Sequence, residues 1–198
     1  MDEKEQLHQH LTTAREALLW KLDGLSDYDA RRPLTPTGTN LLGLVKHAAG
    51  VELNYFGRVF DRPFPSPPRW STAAADPASD MYASADETRT SVLDFYAGVR
   101  TFADATITAL PLDAPGHVSW WHPDRRSVTL RSVLVQVAVE LHRHAGHADI
   151  VRELVDGSIG MQQGNDNLPT ATPDWWAAHH ANLEEIARRS WQGEAHVQ

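Results

Sequence analysis

The segment Val139-Glu140-Leu141-His142-Arg143-His144-Ala145-Gly146-His147-Ala148-Asp149 places a carboxylate and an imidazole one helical turn apart. Residues i and i+4 project from one face of a helix, so Glu140 and His144 can reach a single cation together. The chemistry of such a pair is metal binding, since imidazole nitrogen and carboxylate oxygen are both zinc donors. The setting sharpens the signal. Leu134, Val137, Leu141, His144, Ala148, Val151 and Val155 follow alternating spacings of three and four, the pattern of a seam that faces a core. His144 therefore stands where an apolar residue belongs, with Glu140 at the edge of the seam. A carboxylate buried there is costly unless a partner or a cation compensates.

A catalytic zinc commonly takes three protein ligands and keeps one position open, so this pair needs a third donor. His47 is the natural candidate: it lies three residues after Leu44 and four before Val51, inside another amphipathic segment. The remaining histidines are worse placed. His8 and His10 are near the N-terminus, His117 and His122 fall in an irregular stretch, and His179, His180 and His196 lie in the tail. A lone histidine on an apolar helix face also reads as a hydrogen-bonded core residue, and spacing alone leaves both readings of His47 open. His142 points about 160° away from His144 and belongs on the surface. His147, three residues after His144, is close enough to support a ligand or touch substrate, which suits it better than ligation.

These residues need helices to position them. From Asp2 to about Leu22, Leu7, Leu11, Ala14, Leu18 and Leu22 recur at helical spacings, and Gly24 follows as a helix end. Ser26-Asp27-Tyr28-Asp29 forms a capped turn before the breaks at Pro33 and Pro36. A second helix spans Thr39 to about Phe60 along Leu41, Leu44, Ala48, Val51 and Tyr55, with Thr37 or Thr39 as its cap. The prolines at 63, 65, 67, 68 and 77 make the next stretch a loop. A third helix runs from about Ala85 to Leu110 on Val92, Phe95, Val99, Phe102, Ala103 and Ile107. Pro111 to Val128 reads as an irregular crossover with short extended pieces. The fourth helix spans about Leu130 to Asp156 and closes at Gly157. Pro173-Asp174 then opens a last helix to about Ser190. The prediction is an all-α protein: a four-helix bundle over residues 1–157, with a helical C-terminal extension, 158–198, packed on the same domain.

Composition narrows the function classes. A net charge of -8 argues against nucleic acid, whose phosphates demand clustered cations. No apolar run approaches the roughly 18 residues of a membrane span, and the acidic start is unlike a secretory signal, so a cytoplasmic protein is expected. The chain has no cysteine. Disulfides, thiolate-ligated zinc and a protein thiol nucleophile are thereby excluded, and any thiol chemistry must use sulfur from a ligand. The pairs Trp120-Trp121 and Trp175-Trp176 then read as packing or pocket wall. Substrate-side residues are expected in the stretch before Val128 and around Trp70 to Tyr82.

The segments Leu41-Leu42-Gly43-Leu44-Val45-Lys46-His47-Ala48-Ala49-Gly50-Val51-Glu52 and Glu140 to Asp149 resemble the two metal-bearing motifs of the DinB-like metalloenzyme superfamily. They are most similar to its actinobacterial branch, which includes mycothiol-dependent maleylpyruvate isomerase and mycothiol S-transferases. The resemblance extends from the first helix to Gly157, and Gly164-Asn165-Asp166-Asn167-Leu168-Pro169 fits the tail of that branch. Glutamate at position 140 matches this branch, whereas many members of the wider superfamily carry three histidines. The resemblance implies that His47, Glu140 and His144 ligate a divalent metal, zinc in the first instance, within an up-up-down-down bundle containing a long crossover. It also implies a transferase or isomerase, expected as a monomer or homodimer, in which zinc activates mycothiol toward a small electrophile; the spacing of His147 from His144 suits it to proton transfer or to supporting that ligand. Two other readings keep the same residues: a hydrolase whose metal activates water, and a binding protein that houses a metal or small ligand without catalysis.

Overall fold

The computed structural model describes residues 1–71, 76 and 78–194. The chain divides into two compact units, Met1–Asp166 and Asn167–Gln198. The described part of the second contains one helix, α6 (Pro173–Glu194). The first is a bundle of four long helices, α1 (Glu3–Trp20), α3 (Leu41–Phe56), α4 (Arg89–Ala109) and α5 (Leu130–Asp156), with the short α2 (Asp27–Arg31) after α1. Among the described residues no helix is long and apolar enough to cross a membrane.

Local chemistry accounts for the helix boundaries. Asp2 and Glu5 form a reciprocal capping box on α1, and Thr129 and Ser132 do the same on α5. Gly157 ends α5 with φ at +77°, the left-handed conformation in which a Cβ is disfavoured. The cap of α3 is Asn40, one residue beyond the predicted threonines; its side chain accepts from the Gly43 amide at 2.8 Å. The predicted second helix also stops early, at Phe56, and Arg58–Phe60 continues only as a 3₁₀ turn.

Polar contacts at the helix ends define the directions. Arg131, at the start of α5, pairs with Glu3 at the start of α1, while Arg152 near the end of α5 donates to the Lys21 and Asp23 carbonyls after α1. These two helices are parallel. Lys4 of α1 donates to the Thr108 and Leu110 carbonyls at the end of α4, so α4 runs the opposite way. Lys46 in α3 reaches Glu87 just before α4, and Gly57 after α3 lies beside Phe102; α3 is therefore parallel to α4. The order is up-down-down-up, which corrects the up-up-down-down arrangement. The bundle-length crossover is residues 57–88, joining the parallel pair α3 and α4. The 110–129 connection, predicted to be the crossover, instead makes an antiparallel turn built on the ribbon β1 (Pro115–His117) and β2 (Ser127–Thr129).

The core is the expected apolar stripes, with Leu11, Leu18, Leu44, Ala48, Val99, Ile107, Leu134, Val137 and Leu141 all buried. One polar network lies within it. Glu52 of α3 is fully enclosed; it accepts from Arg15 Nε of α1 at 3.0 and 3.1 Å, from Arg15 Nη2, and from the Tyr96 hydroxyl of α4 at 2.8 Å. Arg15 Nη1 also reaches Asp104 at 2.7 Å. A buried carboxylate deprived of its cation loses about 3–5 kcal/mol of stability. Arg15→Ala is expected to lower the unfolding free energy by about that amount in denaturant melts; a loss below about 1 kcal/mol would show that the network does not carry this part of the fold.

Candidate metal centre

His47 projects from the second turn of α3 toward α5, where Glu140 and His144 stand one turn apart. One donor atom from each of the three lies within 4.8 Å of the others. His144 Nε2 is 3.1 Å and His47 Nε2 3.8 Å from Glu140 Oε1, and the two imidazoles meet edge to face at a centroid distance of 4.7 Å. Donors about 2.1 Å from a tetrahedral cation lie about 3.4 Å apart, so these side chains could close on zinc with small adjustments. The sequence-predicted trio is therefore brought together, although its members come from helices about ninety residues apart in the chain.

A fourth residue, absent from the sequence reading, completes the arrangement. Asp80, in the 57–88 crossover, lies 2.8 Å from His47 Nδ1. A carboxylate can only accept here, so Nδ1 carries the proton and the Nε2 lone pair faces the cluster. The same hydrogen bond holds the Asp80 carboxyl below its ordinary range, against the opposing effect of burial. The crossover is held against α3 immediately after Asp80. Asn40 Nδ2 donates to the Met81 carbonyl at 3.2 Å, and Lys46 Nζ donates to the Tyr82 carbonyl at 3.0 Å and the Glu87 carboxylate at 2.8 Å. Gly43 makes the approach feasible, since a Cβ there would sit 1.9 Å from the Met81 carbonyl oxygen. Asp80 follows no helical period, and spacing alone had no means of finding it.

Burial is the main cause that lowers the His144 pKa, reinforced by the neighbouring His47 and opposed by Glu140. The imidazole thus stays neutral, as a ligand must. His147 lies with its Nδ1 3.4 Å from His144 Nδ1 and is exposed, as is His142. A cavity of about 280 Å³ opens beside the cluster, lined by His47, Glu140, Asp80, Asn54, Gln136 and Trp120 among others. The expected pocket wall at Trp120 is present. Of the expected substrate-side stretch around Trp70 to Tyr82, Asp80 reaches this cavity, whereas residues 72–75 and 77 lie outside the described residues, as does His196 in the tail.

Comparison with known proteins adds two findings. Residues 6–157 match the family model described as mycothiol S-transferase. The fold is similar to the crystal structure of a conserved protein from Enterococcus faecalis, with a TM-score of 0.57 and 17% identity over 80% of this chain and 99% of that one. No curated protein matches the chain.

Two outcomes are expected from this geometry. Because burial depresses the His144 pKa, the unfolded chain takes up its proton first; stability is fully present above the unfolded value of about 6.5 and is lost as the pH falls through the lower folded value. In metal-free protein, the denaturation midpoint should drop between pH 7.5 and 5.5, and the drop should shrink in His144→Gln; an unchanged profile would show that this imidazole does not contribute. Asp80→Ala should weaken cation binding about 10- to 100-fold in competition with a chromophoric chelator. Unaltered affinity would remove Asp80 from the site.

Proposed function

Since this chain belongs to the mycothiol S-transferase family, we propose that it is a metal-dependent enzyme joining an exogenous thiol to a small electrophile. Two imidazoles and one carboxylate gathered across a helix seam, with a cavity on one side, are the observation that carries this reading. Under it His47, Glu140 and His144 are the metal ligands and zinc is the cation, because this mixed nitrogen and oxygen set is that of catalytic zinc. When bound, a divalent cation supplies the Lewis acidity that turns a small thiol into a nucleophile near neutral pH.

The protein's own part is positioning. His47 is oriented by Asp80 so that Nε2 points inward, and His144 is kept neutral by burial. Glu140 brings one negative charge to the set, leaving the cation partly uncompensated and attractive to an anionic sulfur. With no cysteine in the chain, the attacking sulfur belongs to the cosubstrate. The thiol proton departs as the sulfur becomes a thiolate, and a carbon–sulfur bond then forms at the electrophile as its bond to a leaving group breaks, that group departing with the electron pair; His147, exposed and beside His144, is placed to pass the thiol proton to solvent.

Protein purified without added metal is expected to carry about one cation per chain, and His47→Ala and His144→Ala far less; equal metal in wild type and variants would overturn the ligand assignment. Titration calorimetry of the zinc-loaded protein with mycothiol should give heat well above dilution. Absence of binding, together with turnover of an ester or amide without thiol, would replace the thiol with water.

A further inference from the structure

The outer face of α5 has the same spacing read in either direction. Val135, Val139, Arg143, Gly146, Ile150 and Leu154 are separated by four, four, three, four and four residues, and by helix geometry they occupy a strip about 100° wide. The strip is open to solvent: Val135 is 44% exposed, Val139 and Ile150 62% and Leu154 64%, and Arg143 and Gly146 are exposed with them. The opposite seam of the same helix, with Leu134, Val137, Leu141 and His144, is buried. The outer strip therefore serves neither the core nor the candidate metal centre, and an ordered row of exposed apolar side chains marks an interaction surface. We propose that it is a homodimer interface, on which α5 of a second copy lies antiparallel across a two-fold axis.

The order of the residues selects the occupant. Across a two-fold axis every contact is made twice, with the partners exchanged. An axis level with the middle of the strip, between residues 144 and 145, sets Val135 against the partner's Leu154 and Val139 against the partner's Ile150, apolar against apolar at all four places. At the centre Arg143 comes opposite the partner's Gly146. A Cβ at Gly146 would meet nothing within 4 Å, so packing within the chain does not call for glycine there. Its bare backbone leaves room for the stem of the opposing arginine, whose guanidinium extends to water at the rim. An unrelated partner would need no such reversal in spacing; a second copy does. The area is sufficient. Arg131 with Glu3 and Lys21 with Asp149 tie α1 alongside this face of α5, so two helices are available. At about 30 Å long and about 20 Å wide they offer about 600 Å² per copy, about 1,200 Å² in all, the lower bound for a specific stable contact. Such a dimer dissociates on dilution. Each copy carries a net charge of -8, so the copies repel at long range, and salt that screens this repulsion strengthens an apolar contact.

Sedimentation equilibrium of the full chain tests this. Wild type should pass from 22.0 kDa toward twice that mass between about 1 and about 200 μM, and at lower concentration in about 0.5 M than in about 0.05 M salt. Val139→Lys with Ile150→Lys puts like charges opposite each other at both pairings and should weaken association at least about tenfold. Helix content, denaturation midpoint and metal content should match wild type, because both side chains are exposed. The absence of cysteine allows the register to be read without background. Chains with Val139→Cys mixed with chains with Ile150→Cys should join through a disulfide on mild oxidation, which requires Cα atoms within about 7 Å. Either variant alone, its thiols about 16 Å apart along the helices, should not. The interface is refuted by a chain that stays monomeric at every concentration, whether the introduced thiols are open to maleimide or shielded by another segment of the chain. A dimer that the lysine variant leaves intact refutes it too, as do single-cysteine chains that link as readily as the mixture.

Discussion

The structure depends on one buried ion pair, Arg15 with Glu52. Glu52 lies on α3 five residues after His47, which places the two side chains about 140° apart around the helix axis. Holding Glu52 toward α1 and α4 therefore turns His47 toward α5. Hydrogen bonds from Arg15 and Tyr96 to the same carboxylate, at 3.0 and 2.8 Å, tie three helices at that level. Such pairs add little net stability over apolar packing, but a misturned helix would strand a charge in the core. This gives the bundle a strong penalty against the rotations of α3 that would part His47 from Glu140 and His144.

The site is then refined by a segment that is not helical. The crossover passes close enough to α3 that only glycine fits at position 43, and its carbonyls at Met81 and Tyr82 are held by Asn40 and Lys46. Just before these fastenings Asp80 meets His47 and selects which imidazole nitrogen faces inward. The polar groups are thus satisfied in pairs even without a cation: His144 with Glu140, His47 with Asp80. A donor set that is stable by itself is preorganised, and cation binding need not wait for the bundle to rearrange.

Electrostatics and shape divide the work along the cavity. The cluster of His47, Glu140 and His144 concentrates titratable groups where burial lowers the pKa of an imidazole and so favours its neutral form, the form that a metal ligand requires. Farther along the same helix faces, the side chains become neutral amides and aromatic rings. The i+4 and i+7 repeats that build the bundle seam also align these two regions along one cavity.

Much of this was legible from residue spacing. The four long helices, the closing Gly157 and the burial of His144 in an apolar seam follow from local periodicity and caps, which depend on neighbours a few residues away. Glu140 and His144 were legible as a pair for the same reason. Asn54 and Gln136 lay at readable offsets from His47 and Glu140, but an amide at such an offset carries no distinctive signal until the opposing helix is in place. Helix directions do not follow from spacing, because the proline-rich 57–88 stretch and the 110–129 stretch look alike as loops; the end-to-end pairings of α1, α4 and α5 distinguish a bundle-length crossover from a short turn. Asp80 was hidden because its role comes from a long-range approach at Gly43 rather than any period. The helices, the lack of a protein thiol and the seam carrying two donors follow from the residue order alone, since these are local or compositional. That His47 faces them, which carboxylate orients it and where the cavity runs are settled by packing, because these are relations between segments that meet only once the helices assemble.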